Sequence, residues 1–244
     1  MSDVTTDLPT PARVLAIGAH PDDVEFGCGA TIAKWAAAGS DVSLLVLTDG
    51  SKGSWDEGSD TAALVAERER EQRDAAAVLG TDRVRFLHLV DGELDSGLAE
   101  RGLVCEVIRA VRPVVVLGHD PWKRYRLHPD HRHAGLLTVE GIVAARDPHF
   151  FPGRGAPHRP DHLLLFEADV VDHLEGVEGY VDAKVRSLLC HRSQWRSTMG
   201  IDPAGPHAEQ ERVAFEARVR SRLASLGAAE GVGPAEAFKR IDRL

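Results

Sequence analysis

The sequence predicts an α/β fold: a Rossmann-like, open, mostly parallel sheet with helices on both faces and a helical C-terminal region. Three observations carry that expectation. The apolar runs RVLAIGA (13–19), DVSLLVLT (41–48) and PVVVLG (113–118) are continuous rather than alternating, as strands covered on both faces are. They alternate with longer helical patterns, the spacing of βαβ units. Glycine- or proline-bearing turns separate many of them.

The elements follow in order. Residues 13–19 read as the first strand. Residues 29–38 are alanine-rich with an apolar stripe, hence a helix, with Gly39 as its C-cap. Residues 41–48 are the second strand, and 49–60 a loop rich in glycine and serine. A charged helix fills 61–79 and stops at Gly80; a third strand fills 83–89. Residues 97–111 are helical, 113–118 form the fourth strand, and 129–145 form a helix opened by Pro129. Residues 147–160 are a proline- and glycine-bearing loop, and HLLLFE (162–167) is the fifth strand. Beyond residue 168 the alternation stops; 180–195 and 207–226 read as helices joined by a loop at 196–206. With no dividing linker, 13–244 is expected to be one domain and 1–12 a flexible tail.

Composition narrows the function. The chain has 244 residues, 43% hydrophobic and 27% charged, ordinary values for a globular protein with a large core. A net charge of −9 disfavours nucleic acid as a partner, because phosphate neutralisation needs a basic surface. No run reaches the roughly 18–20 apolar residues of a membrane span. The start carries no basic and apolar leader pattern, and three irregularly spaced cysteines do not make a disulfide framework. The cytoplasm is therefore the expected compartment. Homo-oligomerisation stays open.

Two short segments carry the chemistry. His20-Pro21-Asp22-Asp23 leaves the first strand, and His128-Pro129-Asp130-His131 lies beyond the fourth. In a sheet ordered 3-2-1-4-5, strands 1 and 4 are neighbours at the switch point, where ligands bind in open α/β sheets. The two segments would meet there. His20 with Asp23, and His128 with His131, each stand three apart, which places both side chains on one side of a turn. Three histidines and three carboxylates exceed the three ligands of an open catalytic zinc site. The remainder is available to deprotonate water, stabilise an oxyanion and protonate a leaving amine. The residues alone leave open which group takes which role. A single histidine of this kind is most often structural; two His-Pro-Asp tripeptides at two strand ends are not the usual background.

Taken together, the chain resembles the LmbE-like or PIG-L-type zinc-dependent N-deacetylases. Ala19 to Asp23, Gly29-Ala30-Thr31, Arg68 with Glu71, Asp91-Gly92, His119-Asp120-Pro121, His128 to His131 and His191 to Gln194 carry the likeness. The resemblance implies a zinc ion held by His20, Asp23 and His131. It implies Asp22 as the base that deprotonates the attacking water, His128 at the oxyanion and departing amine, and Asp130 as the carboxylate supporting His128. Arg68 and Asp91 align with substrate contacts. The implied substrate is a small N-acylated molecule, typically an N-acetylglucosamine unit or conjugate; iron or manganese suits the same donors. Where many members carry Thr-x-Gly-Glu, this chain has Thr48-Asp49-Gly50-Ser51. The loops 49–60, 122–127 and 147–160 are expected to frame the pocket.

Other readings are weaker. Gly27-Cys28-Gly29 is a lone glycine pair some eight residues beyond the strand, poorly placed for a nucleotide cofactor. No G-x-S-x-G elbow is present. A non-catalytic metal- or ligand-binding module would need the ligands but not Asp22 or His128. An amidase acting on another conjugate remains the nearest enzymatic alternative.

Overall fold

The computed structural model describes residues 4–228 and 230–244. Five strands follow the anticipated pattern: β2 (Arg13–Gly18), β3 (Asp41–Thr48), β4 (Val84–Leu89), β5 (Val115–His119) and β6 (His162–Phe166). Their spatial order, β4-β3-β2-β5-β6, is the expected 3-2-1-4-5, and all four pairings are parallel. Residues 14–17 show why the strand reads as a continuous apolar run. Leu15 and Ile17 join the core on one face, Val14 and Ala16 the core on the other.

Helices cover both faces. α1 (Asp23–Ala37) and α2 (Thr61–Val78) lie on the Val14 side, contributing Ile32, Trp35 and Ala76. α3 (Leu98–Val111) and α4 (Pro129–Arg146) lie on the Leu15 side, contributing Ile108, Ala134 and Leu137. α2 starts at a strong cap, where the Asp60 carboxylate accepts from the N–H groups of Ala62 and Ala63. α4 has Pro129 in its first turn and His128 as N-cap.

Three expectations are corrected. Among the described residues the sheet has eight strands, extended past β6 by β8 (Ala235–Asp242), β7 (His173–Gly176) and β1 (Thr5–Thr6), with β8 antiparallel to both neighbours. The C-terminal region is thus not purely helical: α5 (Val181–Cys190) and α6 (Ala208–Ala228) sit among these strands. The described part of 1–12 is not a loose tail, since β1 pairs with β7 and Leu8 is buried. Finally, α1 begins at Asp23 and not at residue 29, with a kink at Cys28. Gly27 is explained at that kink, because a Cβ there would stand 2.5 Å from the Phe166 ring. Helix-to-sheet packing, rather than a nucleotide, requires this glycine.

Candidate metal centre and cleft

The two motifs meet at the carboxyl ends of β2 and β5. His20 to Asp23 run from the end of β2 into α1, while His128 to His131 open α4. His20 and His128 have ring centres 4.7 Å apart, and His128 and His131 4.9 Å. Asp23 lies between the imidazoles: His131 Nε2 is 3.2 Å from its Oδ1, and His20 Nδ1 is 3.4 Å from its Oδ2. The Asp23 Oδ2 also accepts from the His20 backbone N–H at 2.7 Å, which fixes the turn.

These positions pass a fit test for a divalent ion. One donor atom each from His20, Asp23 and His131 lie within 4.8 Å of one another. Ligands 2.0–2.2 Å from a tetrahedral zinc stand roughly 3.3–3.6 Å apart, close to the spacings found. The outer contacts agree. His20 Nε2 is 3.1 Å from both Asp130 Oδ2 and Asp91 Oδ1, so a hydrogen bond there leaves Nδ1 free to face the centre. A buried atom without a hydrogen-bond partner, Asp130 Oδ1, lies in the same cluster. An imidazole enclosed by three carboxylates is a concentration of negative charge that a cation relieves.

Electrostatics separate the groups. Burial opposes charge on His20, yet Asp130, Asp23 and Asp91 hold its pKa well above the usual value. Burial likewise opposes ionisation of Asp23, but His131 and His119 hold it well below the carboxylate range. Asp22 behaves oppositely: burial pushes its carboxyl up to about 6, with Asp23 adding to this against Arg68. Two adjacent aspartates thus have diverging proton affinities, the pattern expected of a ligand beside a base.

Two implied contacts come out differently. Asp130 does not hydrogen-bond His128; it faces His20 and accepts from the Gly92 N–H at 2.6 Å. Its attraction is outweighed at His128, whose pKa is lowered by burial and by His20 and His131. An imidazole kept neutral still offers an N–H to an oxyanion. Arg68 lines the cleft but is buried, donating to the carbonyls of Pro21 at 2.7 Å and Gly50 at 2.9 Å. Its Nη atoms are therefore engaged by the protein itself, Nη2 also lying 3.7 Å from Asp22 Oδ2. Gly50, at φ +67, belongs to the departed Thr48-to-Ser51 stretch, and a Cβ there would meet the guanidinium at 2.8 Å. Asp91 faces His20, and its second oxygen accepts from the Lys52 N–H.

Sequence reasoning assigned no role to a group behind the centre. His119, the last residue of β5, points Nε2 at Asp23 Oδ2 (3.2 Å) and stacks on His131 with centroids 4.5 Å apart. Arg126 donates to Glu167 at 2.7 Å and lies 3.3 Å from His119 Nδ1. Burial opposes ionisation of Glu167, but His119 and Arg126 bring it down to about 2. A histidine closing a predicted central strand was the available signal.

The centre opens into a cleft of about 650 Å³, within the range of small-molecule sites. Lys52, Gly53 and Trp55 from the 49–60 loop line it, as does Lys123 from the 122–127 loop. The 147–160 loop does not; Arg109 fastens it to α3 through the carbonyls of Asp147, Phe150 and Phe151. Its lining also includes the apolar Val171, Val219, Leu223, Leu226 and Ala237 beside the charged Lys184, Arg222 and Glu236.

The chain is similar to several known proteins. The family model for PIG-L, GlcNAc-PI de-N-acetylase, matches residues 15–142. Diacetylchitobiose deacetylase of Thermococcus kodakarensis is 35% identical, covering 75% of this chain and 70% of that protein. The 1D-myo-inositol 2-acetamido-2-deoxy-alpha-D-glucopyranoside deacetylase of Kineococcus radiotolerans is 34% identical, covering 82% and 73%. The N,N'-diacetylchitobiose deacetylase of Pyrococcus horikoshii superposes with a TM-score of 0.84 at 26% identity, over 95% of this chain and 84% of that one.

Proposed function

The chain belongs to the PIG-L family of de-N-acetylases, and from that premise we propose a zinc-dependent hydrolase that removes an N-acetyl group from an amino-sugar-type small molecule or conjugate. The observation carrying the reading is the three-donor centre of His20, Asp23 and His131, with Asp22 and His128 lining the same cleft. His20, Asp23 and His131 would hold the ion. When bound there it acidifies water and polarises the amide carbonyl.

The chain's own groups supply the rest. Asp22 is not a member of the three-donor set, and its side chain does not cap α1. It is free to take a proton from the attacking water, and a carboxyl with raised affinity keeps that proton long enough to pass it on. The His128 N–H, at the cleft wall, faces the developing oxyanion. Protonation of the departing amine then falls to Asp22, which holds the proton taken from water, or to His128. Asp130 and Asp91 orient His20 rather than the substrate.

The amino-sugar class rests on what the two relatives act on, diacetylchitobiose and an N-acetylglucosamine–inositol. The apolar part of the cleft lining favours an amide borne on a larger conjugate over a lone sugar. The test is amine release from a panel of N-acetylated sugars and sugar conjugates, with and without chelator and zinc reloading. Chelator-sensitive release from at least one is expected. Release that ignores the chelator would remove the metal from the proposal, and no release from any would remove the deacetylase substrate class.

A further inference from the structure

One peptide unit in the centre is gripped from both ends by α2. The Pro21 carbonyl accepts from Arg68 Nη2 at 2.7 Å, and the N–H of the same peptide, on Asp22, donates to Gln72 Oε1 at 3.0 Å. Arg68 and Gln72 stand four apart, so both project from one face of α2. Gln72 is in turn fixed, donating through Nε2 to Glu25 Oε1 at 2.7 Å. Glu25 Oε2 lies 3.5 Å from His191 Nε2. Gln72, Glu25 and His191 are fully buried.

The gripped peptide sits beside a strained residue. Asp22 has φ 103 and ψ −25, a left-handed conformation unusual for a side chain with a Cβ. Rotating the Pro21–Asp22 peptide plane is the motion that changes this φ. Such a flip would relax the backbone and swing the carboxylate off its line into the cleft. Arg68 and Gln72 oppose it, since a flipped plane presents an N–H to the guanidinium and a carbonyl to the amide oxygen. Strain of this kind persists only where surroundings over-determine it, and it gathers at functional sites.

We propose that Gln72, held by Glu25, is a positioning residue that locks the Pro21–Asp22 peptide and so aims the Asp22 carboxylate at the attacking water. The proposal rests on Asp22 being the base. Gln72 touches neither substrate nor ion; its effect reaches the reaction through the backbone. Misplacing a reacting group by about 1 Å can cost on the order of 100-fold in rate. The effect therefore belongs in kcat and spares KM and metal content.

The experiment compares Gln72→Met, Gln72→Glu, the exchange Gln72→Glu with Glu25→Gln, and Asp22→Asn, each assayed for kcat, KM, zinc per chain and melting temperature. Gln72→Met, near-isosteric but without an acceptor, should lower kcat by about 10- to 100-fold with KM and zinc unchanged. Gln72→Glu alone should also be slow, because the new carboxylate faces that of Glu25. The exchange restores the pattern: a carboxylate oxygen at position 72 accepts the Asp22 N–H, and an amide at position 25 donates back. Recovery of kcat to within a few-fold of the parent supports the lock, and this arm decides the matter if Gln72→Met fails to fold. A folded, zinc-loaded Gln72→Met with parental kcat overturns the proposal, as does a folded exchange variant that stays slow. If Asp22→Asn is inactive while Gln72→Met is fully active, the base stands and the lock falls. If Asp22→Asn is itself active, both fall.

Discussion

Two buried histidine–carboxylate clusters lie on opposite sides of β6, and they differ in how fully their bonds are made. Beyond β8, His173 Nδ1 pairs with Thr5 Oγ1 and its Nε2 with Glu175 Oε1, both at 2.8 Å. Glu175 also accepts from the Leu8 N–H and from Lys34 Nζ. Lys34 reaches Asp7 and the Gly176 carbonyl, and Asp7 accepts from the Gly176 N–H. One lysine offsets the two acids, and the network ties β1 and β7 to α1. At the ends of β2 and β5, by contrast, Asp23, Asp91 and Asp130 crowd around His20, and Asp130 Oδ1 has no hydrogen-bond partner. A closed network stabilises a fold; a surplus of donors and negative charge beside a cleft is suited to binding a cation and moving protons. Residue type alone would not have told these clusters apart.

The largest effect that would break the comparison is His131→Ala. It removes a donor from the open cluster, so zinc per chain and turnover should fall to background while the melting temperature of the metal-free protein stays near parental. Full activity with zinc retained would place the ion elsewhere. At the closed cluster, Glu175→Gln should do the reverse. It takes one charge from a buried pair, with an expected cost of about 3 kcal/mol, read by denaturant unfolding. Turnover per folded molecule should not change; if it does, the cluster is not purely structural.

Asp130→Asn is a smaller perturbation. Loss of the carboxylate that orients His20 should weaken zinc affinity by about 10- to 100-fold, measurable by competition with a chelator. Unchanged affinity together with a changed kcat would instead return Asp130 to the support of His128. Smallest is the pH effect. Asp22 must be ionised to accept a proton, so activity should rise as pH rises through about 6, with a bound cation drawing the midpoint lower. The sign for stability is opposite: a carboxyl whose folded pKa is raised stabilises the fold only while protonated. That contribution declines from about pH 4 upward and is gone above about 6. A pH–rate profile that is flat through this range would exclude Asp22 as the base.

Much of the molecule was legible in the sequence because it rests on local pattern. Strands buried on both faces must be apolar throughout, so 13–19, 41–48 and 113–118 declared themselves. Connection rules then sufficed for the order of the five central strands. The strands added beyond β6 did not show. β1 has two residues, and β8 (AEAFKRID) mixes charge into its length because only part of it is covered. The kink at Cys28 hid the start of α1, since the apolar stripe resumes only after it.

The sequence by itself determined the fold class, the two His-Pro-Asp segments and, through the switch-point rule, that these segments meet. Periodicity and turn chemistry are written within a few residues, and they reach that far. Only the tertiary structure decided which group each polar atom faces. Asp130 serves His20 and not His128, Arg68 grips the backbone of Pro21 and Gly50, and His119 closes the centre from behind. It also decided that His173 and Glu175 sit in a closed hydrogen-bond network while His20 and Asp23 line a cleft. Hydrogen-bond partners here come from elements tens to more than a hundred residues apart, and their pairing depends on distances of a few ångströms that no local pattern encodes.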